Sequence, residues 1–339
     1  MERFEPKSFL SSRVIGQLTS LRVEQPDKIL EIAAKRPARR PLPEDGRLCL
    51  LAADHPARGV TAVGSESHLM SDRHDYLARI VRVLASDAVD GVMATMDILE
   101  DLLLLHHLLV EAGGPGLVEG KWLVPSLNRA GLAGASWELD DPISGATPTT
   151  CVRMGMDGAK ALLRICGSDV GSLRTIEAVS AAITEMNGYR LPFFLEPLPV
   201  VRRDERWQVV KEAGELARIV GIASALGDSS RYLWLKLPWC PNFVQVAAAT
   251  TLPILLLGGP ANGGVRGVLA EVADGMASGG NVRGTLLGRK VLYPSSGGDP
   301  LVAARAVAGL VHGGWSLEQA EGDLGTPAGD LDAIRRWFD

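Results

Sequence analysis

Tyr232-Leu233-Trp234-Leu235-Lys236-Leu237 is a short apolar run broken by a single lysine. Both of its alternating faces are apolar, as a strand buried inside a parallel sheet requires. Seven other runs share this character: 48–54, 91–96, 122–128, 158–166, 192–198, 253–258 and 284–288. Segments with helical spacing lie between them, at 72–85, 97–112, 173–187, 204–225 and 300–311. In the first of these Tyr76, Ile80, Val83 and Leu84 share a face. Asp72 and Asp97 are candidate helix N-caps and Gly113 a candidate C-cap. Strands alternating with helices give either a closed barrel or a doubly wound sheet. Eight is the barrel number, and no GxGxxG follows the first strand, so the expected fold is a (β/α)8 TIM barrel.

The chain of 339 residues is expected to form one domain. Residues 1–45 are an N-terminal extension with a helix near 27–34, 46–312 the barrel, and 313–339 a C-terminal helical cap. A Gly-, Pro- and Asp-rich insertion, 129–150, follows the third strand. On a barrel it would lie at the active-site face as a lid or specificity loop.

A net charge of −5 argues against bulk nucleic-acid binding, which needs a basic footprint. The run Lys35-Arg36-Pro37-Ala38-Arg39-Arg40 is the local exception and reads as a solvated segment. No apolar stretch is long enough to span a membrane, and Met1-Glu2-Arg3-Phe4-Glu5-Pro6 lacks the core of a signal peptide. Cys49, Cys151, Cys166 and Cys240 form no CxxC pair, so neither a metal site nor a disulfide framework is expected. A reducing cytoplasm fits this usage.

The informative residues are polar ones inside apolar strands, because such residues at C-terminal strand ends point into a barrel's site. Lys236 is the first. Burial disfavours any ammonium, and a free amine is a nucleophile; the alternative is a strand-end lysine paired with a carboxylate. Lys160, in Gly158-Ala159-Lys160-Ala161-Leu162-Leu163-Arg164, supplies a second cation, and Arg164 either holds a substrate anion or pairs with a structural acid. Glu196, in Phe193-Phe194-Leu195-Glu196-Pro197-Leu198, and Asp54, in Leu51-Ala52-Ala53-Asp54-His55, are candidates for proton transfer. His55, Asn128 and Asp97 are lesser candidates, with Asp97 read first as a helix cap. Gly258-Gly259 after the seventh strand and Gly288-Arg289 after the eighth stand where barrels commonly cradle phosphate.

These motifs, in this order over roughly residues 48–293, resemble the class I aldolases that include tagatose-1,6-bisphosphate, archaeal-type fructose-bisphosphate and deoxyribose-phosphate aldolases. Asp157-Gly158-Ala159-Lys160 and Leu191-Pro192-Phe193-Phe194-Leu195-Glu196-Pro197-Leu198 are similar to the tagatose-bisphosphate branch. Leu235-Lys236-Leu237 falls where that family has its Schiff-base lysine, and Leu286-Leu287-Gly288-Arg289 resembles its phosphate-binding strand end. The resemblance implies a phosphorylated ketose or keto-acid substrate, a covalent imine on Lys236, no cofactor and no metal. Self-association is common among such barrels, so a homo-oligomer is expected. The sequence also resembles an actinobacterial group of barrel proteins associated with inositol catabolism, which implies 5-dehydro-2-deoxyphosphogluconate as substrate. Trp234, Pro238 and Trp239 around Lys236 depart from the family pattern, as do the insertion and the extension. Two other readings remain at this point: a metal-independent sugar-phosphate isomerase or epimerase using Glu196 and Asp54, and a non-catalytic sugar-phosphate-binding barrel.

Overall fold

In the computed structural model, residues 3–36, 41–258, 263–294 and 297–338 are described. The strands are β1 (Leu48–Ala53), β2 (Gly91–Ala94), β3 (Trp122–Pro125), β4 (Ala159–Ile165), β5 (Phe193–Arg203), β6 (Arg206–Val209), β7 (Leu233–Pro238), β8 (Ile254–Leu257) and β9 (Val282–Leu287). Eight of them pair in parallel in the order β3-β2-β1-β9-β8-β7-β5-β4. The curled sheet closes where Ser126 and Lys160 form a parallel bridge and the Leu127 N–H donates to the Lys160 carbonyl at 2.8 Å. The architecture is the TIM barrel expected from the strand count.

Alternation along each strand sorts the side chains. Leu51, Ala53, Ala161, Leu163 and Leu195 turn outward and join the large core shared with the helices. Leu48, Leu50, Ala52, Met93, Trp122, Val124, Phe194, Trp234, Leu255 and Leu286 turn inward and fill the barrel. The Phe194 and Trp234 rings meet at 5.9 Å, tilted by 52°, which adds an aromatic contact to their burial. Truncating a buried aromatic such as Phe194 to Ala costs about 3–5 kcal/mol. One inward step above this floor, on the same strands, stand Asp54, Ser126, Glu196 and Lys236. The parity that fills the barrel therefore also aims the polar residues.

Helix Arg73–Leu84 starts where Asp72 accepts from the His74 and Asp75 amides, at 2.9 and 3.2 Å. The expected Asp97 cap is not one: Thr95 is the N-cap of helix Met96–Glu111, and Asp97, in its first turn, pairs with Arg73. Gly113, at φ +81°, ends this helix in the left-handed conformation that glycine tolerates. In the extension, helices Ser12–Glu24 and Lys28–Lys35 lie against Met96–Glu111, and Arg22 pairs with Glu100 and Asp101 at 3.1 and 2.7 Å. The C-terminal cap is mostly non-helical. Helix Leu317–Asp323 begins with a Ser316–Gln319 capping box, and beyond it the described residues carry only the 3-10 turn Arg335–Trp337.

The segment 204–225 is not one helix, as its spacing suggested. β5 runs on past the barrel and folds back through Asp204 and Glu205, at φ 47° and 61°, into antiparallel β6. The helix begins only at Ala213. Two consecutive left-handed residues make the tight hairpin turn whose twist matches the strands. Asp and Glu disguise it, since such turns usually advertise Asn or Gly. No helix among the described residues is long and apolar enough to cross a membrane.

Candidate active site

Strands β1, β4, β5 and β7 bring Asp54, Lys160, Glu196 and Lys236 together at the C-terminal end of the barrel. Glu196 Oε2 accepts from both lysines, at 2.7 Å from Lys160 Nζ and 2.9 Å from Lys236 Nζ. Lys160 also reaches Asp54 Oδ2 at 3.3 Å. All four are buried, Lys236 with 6% of its surface exposed and Lys160 with 2%.

Two residues the sequence reading did not single out complete the group. Arg129, the first residue of the insertion, donates from Nη1 to Asp54 Oδ2 at 2.7 Å and from Nη2 to the Asp54 carbonyl. Ser126 Oγ donates to the same carboxylate oxygen at 3.2 Å. Asp54 Oδ2 thus meets Lys160, Arg129 and Ser126 at once. Ser126 was legible from parity, being the next inward position after Trp122 and Val124. Arg129 lies beyond the strand, where alternation ends, and had no such signal.

Burial works against both carboxylates, and the cations outweigh it. Lys160 and Arg129 hold Asp54 well below its usual range, and Lys160 and Lys236 bring Glu196 down to about 2. Both are anions at neutral pH. For Lys160 the balance is reversed: burial lowers its pKa despite Asp54 and Glu196 beside it. Burial also pushes the His55 imidazole down to about 4, so the ring is neutral at pH 7. Its Nδ1 is buried without a partner among the described residues.

Gly288 follows β9 and is packed against β1. A Cβ there would stand 2.4 Å from the Ala52 carbonyl oxygen and 2.6 Å from His55 Cε1. Only glycine lets the two strand ends approach this closely. Arg289 begins the short helix Arg289–Leu292 and donates to the Ala62 carbonyl at 3.2 Å. Gly258 follows β8 and is exposed, and Gly259 lies outside the described residues.

Asn128 and Arg164 are drawn elsewhere. Asn128 pairs with both backbone groups of Leu162, at 2.9 and 2.6 Å, and donates to the Asp141 carbonyl at 3.2 Å. Arg164 pairs with Glu138 and donates to the Gly131 and Glu138 carbonyls, at 2.9 and 2.6 Å. Arg58, under the same loop, pairs with Asp141. Together these contacts pin the insertion to β3 and β4. Its Leu139 joins Leu162, Leu198 and Val200 in a small apolar cluster, with Trp207 of β6 and Leu257 against it. The loop is anchored by buried charge and apolar packing, which is the opposite of a loosely tethered lid.

Residues 46–308 match the Cgl0159-like family. The crystal structure of Cgl0159 from Corynebacterium glutamicum is 36% identical and aligns with a TM-score of 0.83, over 90% of this chain and 99% of the other. An uncharacterised aldolase of Saccharolobus solfataricus is 27% identical over 157 residues, 45% of this chain, and the chain spans about half, 54%, of that relative's length. An archaeal fructose 1,6-bisphosphate aldolase aligns at 19% identity with a TM-score of 0.57, over 84% of this chain and 99% of its own. A second archaeal one, solved with its catalytic lysine covalently bound to the carbinolamine intermediate, aligns at 20% identity with a TM-score of 0.56 over the same shares. At that identity these two speak to the barrel fold. The match over most of the barrel, and the relative of similar structure at 36% identity, establish that the chain belongs to the Cgl0159-like family.

Proposed function

We propose that this protein is a class I aldolase in which Lys236 forms a Schiff base with a phosphorylated ketose or keto sugar acid. One observation carries the reading: two buried lysines converge on one oxygen of Glu196, at 2.7 and 2.9 Å, at the C-terminal end of a barrel. An enzyme that only moved protons would need the carboxylate and not a second buried amine. Aldolases among the structural neighbours, one of them solved as a covalent lysine adduct, support the same class.

In this reading the Lys236 amine attacks the substrate carbonyl carbon, and the carbonyl π electrons move to oxygen. Loss of water from the resulting carbinolamine leaves an iminium. Glu196 and Lys160 flank Lys236 and exchange the protons of these steps. Next, the C–C bond beyond the adjacent carbon breaks, its electrons passing into the iminium to give an enamine. A carboxylate takes the hydroxyl proton as the aldehyde leaves. Asp54 and Glu196 are the two candidates. Each has one oxygen held by cations, Asp54 by Lys160 and Arg129 and Glu196 by both lysines, and the other oxygen is the proposed contact to substrate. The enamine carbon then takes up a proton to regenerate an iminium, and water adds to that iminium and hydrolyses it, releasing the ketone product and freeing Lys236. Gly258, Gly288 and Arg289 hold the phosphate, with neutral His55 against Gly288, while Gly259 lies outside the described residues.

Borohydride reduction in the presence of dihydroxyacetone phosphate tests this directly. Intact-mass and peptide analysis should find a reduced adduct on Lys236, absent from Lys236→Met. A panel of phosphorylated ketoses and keto acids, beginning with 5-dehydro-2-deoxyphosphogluconate, then ranks substrates by adduct yield and cleavage rate. Failure to trap any carbonyl compound would refute the imine.

A further inference from the structure

We infer that Leu162 and Leu198 select the aldehyde half of the substrate, and that this half is alkyl: the carbons beyond the one that becomes the aldehyde carry neither a hydroxyl nor a charge. The inference rests on the imine reading above. It narrows the substrate to ketose phosphates deoxygenated on the far side of the bond that breaks.

Strand order sets where each arm of the substrate lies. Around Lys236 the strands run β9-β8-β7-β5-β4. The proposed phosphate cradle follows β8 and β9, on one side of the β7 lysine. An imine on Lys236 therefore turns its phosphate arm toward β8 and β9, and its other arm toward β5 and β4. On β5, Leu198 is the next inward position above Glu196. On β4, Leu162 is the next inward position above Lys160 and stands opposite Glu196 in the register. Each keeps 8% of its surface open, whereas the outward residues Leu163 and Leu195 on the same strands are fully covered, at 0%. Leu139 and Val200 pack with them, and Trp207 lies against the group. The wall beside Glu196 is carbon, and it continues outward as carbon.

The polar side chains along this wall are already committed. Asn128 holds both backbone groups of Leu162 and the Asp141 carbonyl. Arg164, the next inward residue of β4, is matched by Glu138 and by two backbone carbonyls, so it is not free to receive a carboxylate on the aldehyde. A hydroxyl laid against Leu162 and Leu198 would leave water without gaining a side-chain partner from them, and that desolvation disfavours it. The hydroxyl on the carbon that becomes the aldehyde is a different case, since it stands level with the carboxylates that take its proton. The far side of the mouth is polar, with Ser126 and Arg129 on Asp54. One site thus has a polar wall for the reacting oxygens and an apolar wall for the leaving chain.

The test runs the reaction as a condensation. The enamine of dihydroxyacetone phosphate attacks the aldehyde carbon, the carbonyl π electrons move to its oxygen, that oxygen takes a proton from a carboxyl group of the site, and water hydrolyses the iminium. Propanal, 2-hydroxypropanal and 3-oxopropanoate are compared by kcat/KM for the aldehyde. Wild type should prefer propanal to each of the others by about 10- to 100-fold, the range over which an apolar pocket rejects an added hydroxyl. Leu162→Asn and Leu198→Asn, which put an amide on the wall, should bring the ratio of propanal to 2-hydroxypropanal down toward one. A ratio of two substrates on one preparation does not depend on how much of a variant is folded. Wild type using 2-hydroxypropanal or 3-oxopropanoate as well as propanal overturns the proposal, as does a ratio that neither leucine variant changes. If no ketone leaves a borohydride adduct on wild type, the imine reading has failed; an adduct with no condensation of propanal fails this inference alone.

Discussion

Two buried clusters of charge in this barrel are built to different rules. On the outer layer, Arg82 meets Asp299 through Nε at 3.1 Å and Nη2 at 2.6 Å, and its remaining donors reach the Gly329 and Asp330 carbonyls. One cation faces one anion, and Asp299 also caps helix Pro300–Val311 through the Leu301 amide at 3.0 Å. At the barrel mouth, three cations share two carboxylates, and three donors crowd one oxygen of Asp54. The first cluster is matched and saturated, as a group that only holds chains together should be. The second is unmatched, as the proton transfers of the proposed reaction would require. Burial alone does not separate them, since no charged side chain in either cluster is more than 12% exposed. Stoichiometry does.

Breaking each cluster should therefore have opposite signatures. On the proposed imine mechanism, Lys236→Met should lower the cleavage rate by the largest factor of any change, about 10⁴-fold or more, as loss of a covalent nucleophile does. Its melting temperature should hold or rise, because the variant leaves two cations against two anions. A large fall in melting temperature would put Lys236 in the structural class. Asp299→Ala should do the reverse. It strands the buried Arg82 charge and should cost about 3–5 kcal/mol in denaturant unfolding, with adduct formation per folded molecule unchanged. A loss under about 1 kcal/mol would mean that the outer pair is not the stoichiometric anchor described.

How far the sequence carried this depends on where strand parity holds. Lys236, Glu196 and Ser126 each sit two residues beyond an inward apolar residue, Trp234, Phe194 and Val124, so alternation alone aims them. The eight apolar runs gave the barrel for the same reason. Parity stops at strand ends, and so did legibility. Arg129 is one residue past Asn128, yet its direction is set by the fold of the insertion and by Ser144, which no local pattern encodes. Arg164 has inward parity but ends on Glu138, because the acid that matches it comes from a loop 26 residues away. The β5–β6 hairpin was missed because Asp204 and Glu205 take a backbone conformation that their side chains do not announce.

Gly288 stands where β9 passes β1, beside His55. Gly288→Ala should cost about 1–3 kcal/mol, the usual penalty for overpacking, since the obstructing atom is the backbone oxygen of Ala52 and cannot turn aside. The strand ends must part to admit the methyl group. The KM for a phosphorylated ketose should rise more than kcat falls, because the displaced loop is the proposed phosphate cradle and not the amine. An unchanged KM alongside the stability loss would separate Gly288 from phosphate binding.

The smallest effect belongs to a third kind of charge group, at the barrel's surface. His312 is held between Asp45 at 2.7 Å and Asp90 at 3.1 Å. The Asp90 hydrogen bond raises its pKa, burial opposes, and Asp45 adds to the rise. A histidine raised on folding contributes stability that is fully present below its unfolded value of about 6.5 and is lost as pH climbs through the folded value. The group is partly exposed, so the contribution is under about 1 kcal/mol. Wild type should then melt slightly above His312→Asn at pH 6, and the gap should close toward pH 9. Asp90 keeps the Cys49 amide at 2.7 Å in either state, so the residual difference at high pH should be small. A gap that is constant across this range would mean that His312 acts through packing, and that two carboxylates around one histidine form a matched contact like Arg82 and Asp299 with no titrating role.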